Sequence, residues 1–185
     1  MDACKSAFGR VDVLVCNAGI MIMSDLESTT LNVWNKTMNI NALATFLGIR
    51  TVAPLVKVQG GGSIVCTAST GAVRGGALLA AYCASKGAVR MLCKSLALEL
   101  IPFNIRVNII NPGTCDTPMV GRTATELGKR PSDMGIVAPI GRLAQPREIA
   151  EAVVYLASDR VSYMMGVDMT MDSGNSCGLT GSSPV

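Results

Sequence analysis

Four short runs of mostly apolar residues predict the strands of one buried sheet. Residues 11–15, 63–67 and 105–110 are rich in β-branched side chains and only five or six residues long, which is typical of parallel strands covered on both faces. Residues 167–171 alternate apolar with polar side chains and predict a last strand. Longer segments separate the runs, as parallel strands require.

Helical patterns occupy most of those longer segments. They predict the last turns of a helix over 1–8, a long helix over 30–58 and another over 78–100, and Pro146 suits the first position of a further helix. Residues 114–135 show little periodicity and are expected to form a long, irregular loop. Three side chains of the last helix are expected to face inward: Ile149, Val153 and Leu156.

The helix predicted over 78–100 has two distinct faces. An apolar stripe at helical spacing is expected to face the core, and it consists of Val89, Leu92, Cys93, Leu96 and Leu100. The other face permits close packing by a second helix because its side chains are small: Ala81, Ala84, Ser85 and Ala88. That small-residue face is therefore a candidate subunit interface.

Composition supports a single α/β domain. The 185 residues are 49% hydrophobic and 16% charged, with a mean hydropathy of +0.41, which indicates strands buried on both faces. The length suits one domain, which we expect to span residues 1–175. Residues 176–185 are rich in Ser and Gly and are expected to form a flexible tail.

Charge and cysteine content argue against several classes of protein. The net charge of +3 is scattered and aromatic residues are few, so a nucleic-acid partner is not expected. Seven cysteines without a Cys-x-x-Cys pair, and no histidine, indicate reduced, mostly buried thiols and no metal site. No run approaches the ~20 apolar residues that span a bilayer, and the N-terminus lacks a signal-peptide profile. We expect a soluble, cytoplasmic protein with no membrane partner.

Small and polar residues follow the predicted strands, where open parallel sheets bind ligands. Asn17-Ala18-Gly19 follows the first strand and allows a ligand to approach the backbone, although an ordinary strand-ending turn has the same composition. Ser69 lies just beyond the second strand, and Asn111-Pro112-Gly113 follows the third. The carboxyl edge of the sheet is therefore the expected place for chemistry.

Tyr82 and Lys86 lie one turn apart on the same face of the helix over 78–100. A phenol has a pKa of about 10, and an ammonium at roughly 4 Å is expected to lower that pKa by up to about three. Tyr82 would then exchange protons near neutral pH. A Tyr-x-x-x-Lys pair also arises by chance, so its neighbours decide its meaning.

Asn41 is unusual within the helix predicted over 30–58, because asparagine has a low helix propensity and competes for backbone hydrogen bonds. One interpretation is a surface or capping asparagine. The other is a polar group buried at a functional site.

These residues resemble the motifs of the short-chain dehydrogenase/reductase family, and the likeness covers almost the whole chain. Cys16-Asn17-Ala18-Gly19 is similar to the family's Asn-Asn-Ala-Gly turn, with Cys in the first place. Ile40-Asn41-Ala42 resembles its helix asparagine and Ser69 its catalytic serine. Several motifs in the family's order make the resemblance specific.

The second half of the chain continues the resemblance. Tyr82-x-x-x-Lys86 is similar to the family's signature pair, and residues 111–117 resemble its Pro-Gly cofactor loop. Gly141-Arg142-Leu143 and residues 146–150 are similar to the start of its C-terminal helix.

The resemblance implies a hydride transfer between NAD or NADP and an alcohol or ketone substrate. It implies that Tyr82 exchanges a proton with the substrate oxygen and that Ser69 hydrogen-bonds the same oxygen. Lys86 would lower the pKa of Tyr82 and bind the nicotinamide ribose, and Asn41 would hold a water that links Lys86 to solvent. Nine residues would contact the cofactor: Asn17, Ala18, Gly19, Tyr82, Lys86, Pro112, Gly113, Cys115 and Thr117.

The start of the chain departs from the family pattern. Residues 1–8 align with the end of the helix before the family's fourth strand, so two βα units and a third strand, with the glycine-rich pyrophosphate loop, are missing. The expected fold is a Rossmann-like, doubly wound parallel sheet in a three-layer αβα arrangement, N-terminally truncated, with an exposed apolar edge at 11–15. The chain is then either the catalytic portion of an active oxidoreductase or a cofactor-binding-deficient product that only assembles with full-length relatives.

The resemblance leaves the details of recognition open. NAD and NADP are distinguished mainly near the end of a strand that is missing here, so either is expected. The substrate is expected to have an apolar component because Met119 and Met134 lie in the segment 114–135. By the same resemblance we expect a homodimer or homotetramer.

Overall fold

In the part of the chain that the structure describes, the sheet contains four parallel strands in the order in which they occur in the sequence. The computed structural model describes residues 2–178, except the side chains of residues 2 and 135–137. The strands are β1 (Val13–Cys16), β2 (Gly62–Thr67), β3 (Ile105–Pro112) and β4 (Asp168–Met171). All four strands were predicted, and the α/β fold class is confirmed. β1 starts two residues later than expected, and β3 continues two residues further, through Asn111 and Pro112.

Six α-helices connect and cover these strands within the described residues. They are α1 (Asp2–Phe8), α2 (Leu31–Met38), α3 (Ala44–Val58), α4 (Ala80–Leu100), α5 (Pro118–Glu126) and α6 (Pro146–Ala157). A single π-helical turn, Asn39–Leu43, joins α2 to α3, so the long helix predicted over 30–58 is continuous.

Helix α5 corrects the prediction of an irregular loop over 114–135. Thr117 caps this helix by accepting a hydrogen bond from Val120 N at 3.4 Å, and Pro118 occupies its first position. This Thr-Pro start was a readable signal, but the helix has only nine residues, too few for a clear periodicity.

The core lies on both faces of β2 and β3, which are buried almost throughout. Helices α3 and α4 cover one face through side chains that include Val52 and Val89. Helix α6 covers the other face, where Leu156 is fully buried. This is the expected three-layer arrangement. Leu156 is the one predicted inward residue of α6 that is fully buried, since Ile149 and Val153 line a cleft instead.

The two faces of α4 are largely as predicted. Val89, Cys93 and Leu100 are buried, and Leu92 and Leu96 are partly buried. On the small-residue face, however, Ala81 and Ser85 are covered by this same chain, because the helix formed by α2 and the π turn packs there. Only Ala84 and Ala88 stay accessible for the subunit contact that we predict.

Strand β1 forms one edge of the described sheet and is not buried on both faces as its sequence suggested. Val13 is 42% exposed and Val15 is 43% exposed, whereas Leu14 and Cys16 are half-buried against α3. This is the exposed apolar edge expected from the resemblance.

Arg106 fastens α6 to the sheet from within β3. Its side chain is only 6% exposed, and its guanidinium donates to the carbonyl oxygens of Leu156 at 2.8 Å, Ala157 at 3.2 Å and Ser158 at 3.0 Å. Ser63 Oγ also donates to the Leu156 carbonyl, at 3.2 Å. This role of Arg106 was not predicted, because an arginine inside an apolar run is typical of a solvent-facing position.

By length and composition alone, the helix spanning residues 31–58 is long and apolar enough to cross a membrane, a property that was not predicted from the sequence. A third of its most apolar 18-residue window is buried inside the protein, and its buried side chains, such as Ile49 and Val56, pack on the sheet. Core helices pass the same length test.

All seven cysteines lie within residues 2–178 and are free thiols. In that part of the chain, no three histidine, cysteine, aspartate or glutamate side chains are placed to hold a metal ion.

Of the predicted tail, residues 179–185 lie outside the described residues. The tail's first residues are held, because Ser176 N donates to Asp172 Oδ2 at 2.8 Å.

Candidate active site

A cleft of about 990 Å³ opens at the carboxyl ends of β1, β2 and β3. Every residue predicted to contact a cofactor lines it, and so does Ser69. These residues are Asn17, Ala18, Gly19, Tyr82, Lys86, Pro112, Gly113, Cys115 and Thr117. Of the predicted site residues only Asn41 does not line the cleft. The fold therefore brings together segments that are up to 100 residues apart in the sequence.

Lys86 is held at the floor of the cleft by β2. Its side chain is almost fully buried, and Nζ donates to the carbonyl oxygen of Thr67 at 2.8 Å. A Cβ atom on Gly19 would lie 3.1 Å from Nζ, so the glycine keeps the space above the lysine free. Burial lowers the pKa of Lys86 to about 8, because desolvation penalises the ammonium.

Tyr82 and Ser69 are adjacent in the cleft and nearly buried. Burial raises the pKa of Tyr82, and hydrogen bonding from the Ser69 hydroxyl opposes that rise. The expected lowering of this pKa by Lys86 is therefore wrong for the described protein. The reason is that the ammonium binds the Thr67 carbonyl while the phenol is desolvated.

Asn41 is fully buried within the π turn, which decides between its two interpretations in favour of a buried polar group. Its Oδ1 accepts from Ile20 N at 2.8 Å, and its Nδ2 donates to Ile20 O at 2.9 Å and to Ser85 Oγ at 2.8 Å. Asn41 thus ties the loop after β1 to α4. None of these contacts tests whether Asn41 holds a water, so that role stays a prediction.

Thr67, at the end of β2, was missed by the sequence analysis. Its carbonyl anchors Lys86, and its hydroxyl donates to Asn17 Oδ1 at 3.0 Å. One residue thus positions both the ammonium and the loop after β1. Ser85, which binds Asn41, was noticed only as a small residue. Their backbone and hydroxyl contacts join distant segments and leave no local pattern.

Contacts with the end of β4 hold the loop after β3 in place. Gly113 N donates to Met171 O at 2.9 Å, and a Cβ at Gly113 would come within 2.9 Å of the Asp172 Cα, so only glycine fits. Burial raises the pKa of the Cys115 thiol, and the neighbouring Asp116 adds to that effect. Thr117 Oγ1 donates to the carbonyl of Cys115 at 3.3 Å and also caps α5, so it has a structural role besides any ligand contact.

Asp168 on β4 links the base of this loop to α4. Asn111 Nδ2 and Arg90 both donate to its carboxylate, and Lys94 Nζ lies 3.5 Å from Oδ2. Burial alone would raise the pKa of Asp168, but the bonds from Asn111 and Arg90 outweigh it and hold the pKa below its usual value. This network was not predicted, and it orients the helix that carries Tyr82.

The buried charge of Lys86 predicts a pH-dependent stability difference. Below pH 8 the folded protein bears the cost of burying the ammonium. Between the folded pKa of about 8 and the ordinary 10.5, only the folded state has lost the proton, so stability rises with pH. Lys86→Met lacks this effect. We expect its free energy of unfolding, relative to wild type, to fall by roughly 3 kcal/mol as pH rises from 7 to 11.

Urea unfolding at several pH values measures this difference, and Lys36→Met provides the matched control. Lys36 is an exposed lysine on α2, so its variant should keep a constant offset from wild type. A constant offset for Lys86→Met as well would contradict the buried, proton-losing lysine.

Comparison with known proteins identifies the family. Residues 1–176 match the family described as enoyl-(acyl carrier protein) reductase. The chain is 41% identical over 179 residues to a 3-alpha-(or 20-beta)-hydroxysteroid dehydrogenase of Mycobacterium tuberculosis, covering 97% of this chain and 66% of the relative. Among solved structures, it resembles the crystal structure of a short-chain type dehydrogenase/reductase from Mycobacterium marinum, with a TM-score of 0.88. The two sequences are 33% identical, and the match covers 96% of this chain and 69% of that one. The chain belongs to the short-chain dehydrogenase/reductase family.

A further relative of this short-chain dehydrogenase/reductase is a cyclopentanol dehydrogenase of Comamonas testosteroni. It is 38% identical over 176 residues, which cover 94% of this chain and 69% of the relative. The chain thus spans about two thirds of the length of such relatives. The resemblance drawn from the motifs is confirmed.

Proposed function

We propose that this short-chain dehydrogenase/reductase carries the catalytic residues of an NAD(P)-dependent oxidoreductase that interconverts an alcohol and a ketone. The observation that carries the proposal is the convergence of Ser69, Tyr82 and Lys86 on one cleft at the carboxyl edge of a parallel sheet. The dehydrogenase names of its relatives support the reaction class.

The cleft fits a nicotinamide cofactor. Gly19 and Gly113 line the cleft at the ends of β1 and β3, and Lys86 offers hydrogen-bond donors beneath Gly19. Asn17, Cys115 and Thr117 line the same space and would contact the cofactor. When bound, the cofactor would supply or accept the hydride.

Tyr82 Oη is the proton donor of the reduction. Because burial raises its pKa, the phenol is protonated at neutral pH and can deliver its proton to the carbonyl oxygen of the substrate. Ser69 Oγ accepts a hydrogen bond from Gly71 N at 3.0 Å. Its own hydrogen, which otherwise bonds Tyr82, would donate to the same substrate oxygen. Alcohol oxidation runs the same proton transfer in reverse and requires the phenolate.

The substrate we propose is a ring-bearing secondary alcohol or its ketone. Met21, Met23, Leu79 and Met119 give the cleft an apolar wall, and methionines adapt to irregular apolar shapes. The names of the hydroxysteroid and cyclopentanol dehydrogenases among its relatives denote cyclic alcohols as their substrates.

We further propose that the protein is soluble and cytoplasmic and forms a homodimer or homotetramer, with Ala84 and Ala88 in the subunit contact.

The alternative function, assembly with full-length relatives without catalysis, is favoured by one observation. Val13 and Val15 leave an apolar sheet edge exposed, which a partner chain could cover. Cofactor binding distinguishes the two functions.

Titration of the purified protein with NADH and NADPH, followed by nicotinamide fluorescence, tests the proposal. We expect saturable binding of at least one of them, weakened about 10-fold or more in Lys86→Met because a charged hydrogen-bond donor is lost. Lys36→Met, far from the cleft, should bind as wild type does. A folded protein that binds neither nucleotide would instead support the non-catalytic alternative.

A further inference from the structure

The charged residues that line the cleft are all cationic. Among the described residues they are Arg74, Lys86 and Arg122, and no aspartate or glutamate lines the same space. Lys86 is bound to the Thr67 carbonyl at the cleft floor. The guanidinium groups of Arg74 and Arg122 make no such bond among the described residues, so their charge is available to a ligand.

Arg74 lies next to the proton-transfer residues. It follows the short helical turn Thr70–Ala72, which begins directly after Ser69, and its backbone N donates to Thr70 O at 2.9 Å. The residue is exposed, and its guanidinium makes no hydrogen bond or ion pair within residues 2–178. Its backbone is fixed while its side chain is free to reach into the cleft.

Arg122 reaches the cleft from a separate element, α5. This helix is anchored at its start by the Thr117 cap, and Met119 and Thr123 line the cleft from the same side of the helix. Arg122 is also exposed and unpaired within the described part of the chain, whereas Arg130, just beyond α5, is already paired with Asp133.

Two guanidinium groups that are unpaired within residues 2–178, in an apolar cleft whose described lining has no carboxylate, favour an anion. The planar fork of arginine binds a carboxylate through two parallel hydrogen bonds, and a cleft lined by one sign of charge attracts the opposite sign. We propose that the substrate carries a carboxylate in addition to its reacting alcohol or ketone, and that Arg74 and Arg122 bind this carboxylate. The inference rests on the proposed function and names the substrate class for it.

Kinetics on a matched pair of substrates test this specificity. The pair is 4-hydroxycyclohexanecarboxylate and its neutral carboxamide, with wild type, Arg74→Met and Arg122→Met. We expect wild type to prefer the acid, and each substitution to lower kcat/KM for the acid about 10-fold while changing that for the amide less than about twofold. Arg50→Met, an exposed arginine on α3 outside the cleft, is the control and should change neither.

A binding measurement separates this inference from the proposed reaction. Cyclohexanecarboxylate has no hydroxyl to oxidise, and its binding is followed by calorimetry beside cyclohexanecarboxamide. Tighter binding of the carboxylate, lost in Arg74→Met and Arg122→Met, supports the inference even if no alcohol is turned over. Equal binding of acid and amide, or arginine variants that weaken only NADH and NADPH binding, overturns it, even if cyclohexanol is oxidised.

Discussion

Tyr82→Phe is expected to lower turnover by about 1000-fold or more while leaving cofactor binding nearly unchanged. The substitution removes only Oη, the atom that exchanges the proton with the substrate oxygen in the proposed reaction, and keeps the ring that packs beside Gly71. The protein should therefore fold with a free energy of unfolding within about 1 kcal/mol of wild type. The measurement is kcat for ketone reduction, beside nucleotide binding and urea unfolding.

Cys83→Ala is the matched control because Cys83 follows Tyr82 on α4 and also lines the cleft. Its thiol donates no proton in the proposed reaction, so we expect its kcat to stay within about threefold of wild type. Equal losses in the two variants would indicate damage to the fold, and the proton-transfer role of Tyr82 would have to be abandoned.

Arg106→Met is expected to destabilise the protein by about 3 kcal/mol. The variant removes three donors from the last carbonyl groups of α6, and these carbonyls lie at a helix end that the sheet covers. It also removes a positive charge from the negative end of the helix dipole. Methionine fills part of the volume and avoids the cost of burying a charge, which limits the loss.

Urea unfolding of Arg106→Met beside Arg50→Met measures this contribution. The exposed Arg50 should shift the free energy of unfolding by less than about 0.5 kcal/mol. Hydrogen exchange locates the effect, because the amides of α6 should lose protection before those of α4. Wild-type stability in Arg106→Met would show that Ser63 and the packing of Leu156 suffice to hold α6.

The local pattern of apolar and polar residues was sufficient to predict the strands and most helices. The strand runs were predictable because buried parallel strands are continuous and apolar, and the stripe on α4 because its spacing follows the helical repeat. The helix α5 was missed because nine residues with a Thr-Pro start carry little periodicity. The exposure of β1 followed from the family resemblance and not from its own residues, which are as apolar as those of a central strand.

The residues of the candidate site could be predicted from the sequence, but the contacts between them could not. The motifs predicted Ser69, Tyr82 and Lys86, and the structure places all three on one cleft. The direction of the Tyr82 pKa could not be read from the i to i+4 spacing, because that spacing fixes neither the burial of the phenol nor the partner of the ammonium. Both depend on β2, which presents the Thr67 carbonyl to Lys86.

The sequence by itself determined the α/β class, the order of the elements, the family and the residues that carry the proposed chemistry. These properties follow from local periodicity and from several short motifs that occur in the family's order. Only the tertiary structure decided that Asn41 binds Ile20 and Ser85 and that Arg106 holds the end of α6. It also decided that Arg74 and Arg122 share a cleft whose described lining has no carboxylate. Each of these depends on packing between segments distant in the chain, and burial and charge at such contacts are properties of the whole fold.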